Sequence, residues 1–164
     1  MAECRYTFLD LGPVNAPYMD ELADAAARVV RSGRYIGGPE VDAFEHNLCA
    51  LTGARYAVGV SNGLDALRLI LRAYVELGVF APGDEVIVPA NTYIASVLAI
   101  SDAGLVAVLA EPDLLTSNLD TSRLAELVTP RTKAVMPVHL YGRVCWDETL
   151  RDFALGHGLK IIED

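Results

Sequence analysis

From residue 55 to residue 164 the chain alternates short apolar runs with stretches whose apolar residues recur at helical spacing. No other feature restricts the fold as much. Runs that are apolar on both faces suit strands buried in a parallel sheet, and parallel neighbours need a crossover segment between them. Strands are expected at 56–60, 85–88, 105–110, 133–138 and 159–163. Helical patterns separate them: Leu64, Leu67, Ile70, Leu71 and Tyr74; then residues 93–103; then Leu124, Leu127 and Val128; then Leu150, Phe153 and Ala154. Gly78, Gly104 and Gly158 fall where helices should end, and Asp120 and Asp147 where side chains can cap them. This rhythm predicts a three-layer α/β fold around a mostly parallel sheet with right-handed crossovers.

Two further helices are expected upstream, after breakers at Gly12, Pro13 and Pro17. Leu22, Ala25, Ala26, Val29 and Val30 share one helical face before Gly33, and Val41, Phe44, Leu48 and Leu51 continue from Pro39 to Gly53. The chain thus divides into an N-terminal segment with helices, 1–54, and a sheet region, 55–164. No internal repeat or linker interrupts it.

Composition narrows the function classes. The 164 residues include 13 Lys+Arg and 22 Asp+Glu, a formal net charge of −9, with no basic cluster. Such a surface does not suit a phosphate backbone or an anionic leaflet, so neither nucleic acid nor membrane is expected as a partner. Cys4, Cys49 and Cys145 are widely spaced and odd in number, which fits a reducing cytoplasm better than a disulfide scaffold or a structural zinc site. No apolar run approaches the roughly 20 residues of a membrane span, and the opening Met-Ala-Glu-Cys-Arg lacks the order of a secretory signal. No metal site is expected. The chain has only two lysines, Lys133 and Lys160.

A parallel sheet of this kind binds ligands beyond the carboxyl ends of its strands. The residues there are Ser61-Asn62-Gly63-Leu64, Pro89-Ala90-Asn91-Thr92-Tyr93, Glu111-Pro112-Asp113, His139-Leu140-Tyr141-Gly142 and Asp164. The Ser-Asn-Gly turn into a helix offers unpaired N–H groups and a positive dipole end to a phosphate, or is a plain tight turn. It is neither G-x-G-x-x-G nor a lysine-bearing phosphate loop. Tyr93 is either a stacking platform for a flat heterocycle or a packing aromatic. Asp164, ending an apolar strand, has to sit among buried groups and find a cation or donor, or else caps a helix. His139 is a general base, a ring partner or a satisfied core histidine.

Read together, S-G-R-Y-I-G-G-P-E-V-D-A-F-E (32–45), V-S-N-G-L-D-A-L (60–67), G-D-E-V-I-V-P-A-N-T-Y-I-A-S (83–96), T-K-A-V-M-P-V-H-L-Y-G (132–142) and I-I-E-D (161–164) resemble the DegT/DnrJ/EryC1/StrS aminotransferases. The resemblance runs from about residue 7 to residue 164. It implies the large domain of a fold-type-I, aspartate-aminotransferase-like pyridoxal-phosphate transferase, incomplete at its C-terminus. It implies amination of a nucleotide-linked keto-sugar with pyridoxal 5'-phosphate and L-glutamate. By the same resemblance Asn62, Gly63 and Leu64 cradle the cofactor phosphate, Tyr93 stacks on its ring, Asp164 pairs with the ring nitrogen and His139 lies at the cofactor edge. A carboxylate at that nitrogen keeps the ring an electron sink. Tyr35, in the glycine-rich segment 33–38, helps cover the sugar. The wording of 60–67 and 89–96 is similar to the branch that aminates carbon 3 of dTDP-3-keto-6-deoxyhexoses.

Two stretches depart from the family pattern. Many relatives have Gly-Thr where this chain has Gly63-Leu64, leaving only backbone donors at the phosphate turn. After H-L-Y-G the chain reads Arg143-Val144-Cys145-Trp146-Asp147-Glu148 in place of a Gln-Pro stretch. The family's catalytic lysine follows its strand-end Asp, beyond residue 164, while Lys133 and Lys160 each begin a strand at the opposite end of the sheet. The chain is therefore expected to be the N-terminal part of a longer, homodimeric enzyme, inactive by itself. The family's sheet order lets the second to fifth strands pair as third-second-fourth-fifth, while the first lacks its neighbour. The alternatives are a pyridoxamine-dependent sugar 3-dehydratase, in which histidine replaces the lysine, a nicotinamide-binding protein, and an inactive remnant.

Overall fold

A computed structural model describes residues 8–164. Cys4 and the first residues of the start segment lie outside the described range. The chain forms two compact units, one ending at Gly59 and the other spanning Val60–Asp164.

The first unit is helical. A short helix α1 (Leu11–Asn15), capped by Asp10, leads through a 3-10 turn (Ala16–Tyr18) into α2 (Met19–Ser32) and then α3 (Pro39–Thr52). Gly33 and Gly53 terminate α2 and α3 in the left-handed conformation, at φ 67° and 74°, where a Cβ would be strained. Pro39 occupies the first turn of α3, where its missing N–H costs nothing. Both long helices thus fall where the apolar spacing predicts them. The breaker-rich start is itself helical, because Pro13 sits in the first turn of α1.

The second unit carries α4 (Gly63–Glu76), β1 (Glu85–Pro89), α5 (Ile94–Asp102), β2 (Val106–Ala110), a 3-10 helix (Thr121–Leu127), β3 (Thr132–Val135), α6 (Glu148–His157) and β4 (Lys160–Ile161). All pairings are parallel and the strand order is β2-β1-β3-β4. That is the order expected once the first predicted strand is set aside. Alternation along each strand sends side chains to two cores. Val86, Val88, Ala134, Met136 and Ile162 join Leu67 and Leu71 of α4 and Ala99 and Ile100 of α5. Ile87 and Val135 face the other way, against Leu124 of the 3-10 helix and Leu150 and Ala154 of α6. Each buried Leu, Ile or Val contributes roughly 1.5–3 kcal/mol through removal from water. These two apolar layers hold the unit together.

The crossover from β1 to β2 carries α5 on one face, whereas those from β2 to β3 and from β3 to β4 carry the 3-10 helix and α6 on the other. Crossovers of one hand require that change of face when the chain reverses direction across a sheet. The reversal lies between β1 and β3, which is where such sheets open a crevice.

Three expectations need correction. Residues 56–60 form no strand: Tyr56 is 79% exposed, Val58 78%, and the Gly59 amide donates to Glu45 Oε1 at 2.6 Å. An extended segment becomes a strand only with a ladder partner, and no neighbour supplies one among the described residues. The segment around Leu124 is a 3-10 helix, not an α-helix. At three residues per turn Leu124 and Leu127 fall on one side, toward the sheet. Strand β2 is an edge strand with Val106 and Leu109 exposed, so its apolarity does not reflect burial on both faces.

Candidate active site

Apart from Tyr35, the residues expected to hold a ligand come from four stretches of the second unit. A cleft of about 440 Å3 opens beyond the carboxyl ends of β1, β3 and β4, lined by Asn62, Gly63, Leu64, Thr92, Tyr93, Ser96, Leu140 and Asp164, among others. It lies at the reversal point of the sheet.

Asn62 builds the phosphate-like end. Its extended backbone starts α4, its Oδ1 accepts the Asp65 amide at 2.9 Å, and its carbonyl accepts the Ala66 amide at 3.1 Å. The amides of Gly63 and Leu64 meet no acceptor among the described residues. They are the remaining positive end of a 14-residue helix. A Cβ built on Gly63 would touch nothing within 4 Å, so the approach is open. The Ser61 hydroxyl, and after it Arg68, hold the Asp65 carboxyl below the usual carboxylate range. The acid in the first turn is thereby paired with Ser61 and Arg68.

Tyr93 is the residue before α5, in extended conformation, and its side chain is 77% exposed. The packing alternative does not describe it. Asp164 is held through its backbone, whose amide donates to Pro137 O at 3.0 Å and whose carbonyl accepts from the His139 amide at 2.9 Å. Its Oδ2 accepts the Ser96 hydroxyl at 2.5 Å, and Thr92 Oγ1 lies 2.9 Å from Ser96 Oγ. The donor expected for a strand-end carboxylate is Ser96, itself buried, and Asp164 lines the cleft.

His139 does not line the cleft, although its neighbours Val138 and Leu140 do. Nδ1 lies 3.0 Å from the Cys145 amide, which can only donate, so the ring proton sits on Nε2 and goes to Glu163 Oε2 at 3.0 Å. The ring thus ties the 139–145 loop to the strand end beside Asp164. Burial, first of all, pushes the Cys145 thiol up in pKa, so it is not a ready nucleophile. Lys133 Nζ donates to Pro130 O at 3.3 Å at the start of β3, and Lys160 starts β4. Tyr35 belongs to the helical unit. It is 70% exposed, and with Arg28, Arg34, Gly38 and Glu40 it lines a pocket of about 310 Å3 in that unit. Among the described residues no group of three or more His, Cys, Asp or Glu gathers to hold a metal, and no helix is long and apolar enough to cross a membrane.

Sequence reasoning missed Thr92 and Ser96. The available signal was two hydroxyls four residues apart, one before and one within the otherwise apolar helix start I-A-S-V-L-A-I.

Residues 18–164 match the DegT/DnrJ/EryC1/StrS aminotransferase family. The chain is 53% identical over 157 residues to the dTDP-3-amino-3,6-dideoxy-alpha-D-galactopyranose transaminase of Aneurinibacillus thermoaerophilus, covering 96% of this chain and 42% of that one. It is 47% identical over 160 residues to the dTDP-3-amino-3,4,6-trideoxy-alpha-D-glucose transaminase of Streptomyces venezuelae, covering 98% and 41%. The crystal structure of S. venezuelae DesV superposes with a TM-score of 0.89 at 45% identity, over 98% of this chain and 42% of that one. The chain therefore spans about 42% of the length of the first of these relatives. The expected fold-type-I architecture holds for this portion. With the match running over most of its length, the chain belongs to the DegT/DnrJ/EryC1/StrS family of pyridoxal-phosphate-dependent aminotransferases.

Proposed function

We propose that the complete protein aminates a nucleotide-linked keto-sugar, a dTDP-3-keto-6-deoxyhexose, using pyridoxal 5'-phosphate and L-glutamate. The observation that carries this reading is the convergence in one cleft of the unpaired Gly63 and Leu64 amides, the exposed Tyr93 ring and the Asp164 carboxylate. Together these groups offer anion donors, an aromatic face and a carboxylate, the chemistry that a flat, cationic ring bearing a phosphate needs. The names of the two relatives, both dTDP-3-amino-sugar transaminases, support carbon 3 and the nucleotide.

When bound, the cofactor supplies an electron sink for the carbanion formed during transamination. The chain's own residues bind and orient it. Gly63 and Leu64 donate backbone N–H groups to the phosphate, a helix-dipole site that needs no side-chain hydroxyl at position 64. Tyr93 offers its face to the ring. Asp164 would accept a hydrogen bond from the protonated ring nitrogen and so keep the proton there, while Asn62 holds the turn by capping α4. His139 would act at the cofactor edge through its bonds with Cys145 and Glu163, which tie the 139–145 loop to the strand end next to Asp164. Tyr35 contributes its ring to the sugar. Lys133 and Lys160 both sit at strand starts and neither lines the cleft, so neither supplies the lysine that the family's chemistry calls for. The complete protein acts as a homodimer in the cytoplasm.

The test is to supply the complete protein with cofactor, L-glutamate and dTDP-3-keto-6-deoxyglucose, and to follow the sugar nucleotide by mass spectrometry. Conversion of the ketone to an amine, with one 2-oxoglutarate released per turnover, is expected. Loss of a hydroxyl with no nitrogen gained identifies the dehydratase reaction and overturns the proposal, as does the absence of turnover.

A further inference from the structure

We infer that Ser96, braced by Thr92, is a positioning residue that fixes the Asp164 carboxylate and leaves one of its oxygens for the ring nitrogen of the cofactor. This rests on the reading of Asp164 given above.

Four observations converge. Ser96 is 1% exposed, on the first turn of α5, and a buried hydroxyl must find a partner. A helical serine commonly bonds back to the carbonyl one turn earlier; here the hydroxyl crosses to Asp164 Oδ2 at 2.5 Å instead, 68 residues away in sequence. The direction of the chain of bonds follows from proton counting. An ionised carboxylate only accepts, so Ser96 donates its single proton to Asp164, and Thr92 must then donate to Ser96 across their 2.9 Å contact. Thr92 is half-buried and Ser96 fully so, which keeps water from the Ser96 hydroxyl.

The remaining freedom at residue 164 is rotation of its side chain. The backbone is already pinned to Pro137 and His139 on the β3 side. The Ser96 bond restrains that rotation, through Oδ2. Among the described residues Oδ1 has no partner, and the residue lines the same cleft as Tyr93 and Gly63. A carboxylate tethered by one oxygen presents the other in a fixed direction, an arrangement that limits the reorganisation needed when a cationic N–H arrives.

The experiment uses the complete protein in a double-substitution cycle of Ser96→Ala and Asp164→Asn. The readouts are the cofactor dissociation constant by equilibrium dialysis and the absorption maximum of the bound cofactor. Thermal unfolding of the cofactor-free protein checks that each variant folds. Ser96→Ala should weaken binding roughly tenfold, the range of one charge-assisted hydrogen bond, and shift the absorption maximum. Ser96→Thr should restore both, and Thr92→Val should give a smaller change of the same sign. In the Asp164→Asn protein, Ser96→Ala should change binding by less than about twofold, because the group it positions is gone. Equal effects in both backgrounds, or none where Asp164→Asn has one, overturn the assignment while leaving Asp164 in place. If Asp164→Asn itself changes neither readout, the underlying reading of Asp164 fails.

Discussion

Replacing Tyr93 by alanine separates a stacking platform from a packing residue, because the two roles predict opposite results on two axes. With 77% of the residue exposed, truncation removes little buried surface. Its effect on the stability of the cofactor-free protein should be that of an ordinary surface change, within about 0.5 kcal/mol. A core aromatic would cost roughly 3–5 kcal/mol on truncation. Stacking of a flat heterocycle on an aromatic side chain is worth about 1–3 kcal/mol, so cofactor binding should weaken roughly 5- to 150-fold. The assay is titration of the cofactor-free complete protein with pyridoxal phosphate, followed by fluorescence, alongside thermal unfolding of the same samples. Tyr93→Phe keeps the face, and the phenol makes no hydrogen bond among the described residues, so it should bind within about twofold of the parent. Unchanged cofactor affinity in Tyr93→Ala refutes the platform. A core-sized loss of stability refutes the reading of Tyr93 as free.

Asp164→Asn keeps the shape of the side chain but not its charge, so the complete enzyme should still take up cofactor while kcat falls by at least about a hundredfold; an unchanged kcat removes Asp164 from the mechanism. Asn62→Ala deletes the acceptor for the Asp65 amide at the start of α4 and should cost about 1 kcal/mol in urea unfolding; no loss would mean the cap is not needed to hold the turn. Glu85, 4% exposed at the start of β1, has its carboxyl held below the ordinary range, first by the Thr129 hydroxyl and then by Arg131 and Thr132. A depressed folded-state pKa stabilises above the unfolded value of about 4.3 and is lost as pH falls through the folded one. Glu85→Gln should therefore lower stability at pH 7 by about 2 kcal/mol and flatten the acid limb of a stability–pH curve below pH 4.5; an unaltered acid limb contradicts that assignment.

The α/β layering, the four strands that form and most helix ends are legible in the sequence because they rest on local periods and stop residues. Gly33, Gly53 and Gly158 take the left-handed conformation at their helix ends. Asp120 and Asp147 cap as their side chains allow, through the amides of Ser122 and Leu150. Strand formation at 56–60 is not local: its apolar pattern is strand-like, but a ladder depends on a neighbour supplied from elsewhere. The difference between an α-helix and a 3-10 helix near Leu124 turns on where Leu127 must point, which the pattern alone does not tell. At the site, Asn62, Gly63, Tyr93 and Asp164 stand out because they follow strands or open helices. The bond of Asp164 to Ser96 was not legible, since it depends on how α5 and the end of β4 meet across 68 residues. His139 is a similar case. Its motif places it at the sheet edge, while its tautomer and orientation follow from the Cys145 amide in the folded loop.

The most direct test of the central claim is a crystal structure of the complete protein with pyridoxal phosphate bound. The phosphate should lie within hydrogen-bond distance of the Gly63 and Leu64 amides, the ring on the face of Tyr93, and the ring nitrogen against the free Asp164 oxygen. Cofactor seated elsewhere, or in this cleft with its nitrogen away from Asp164, contradicts the account.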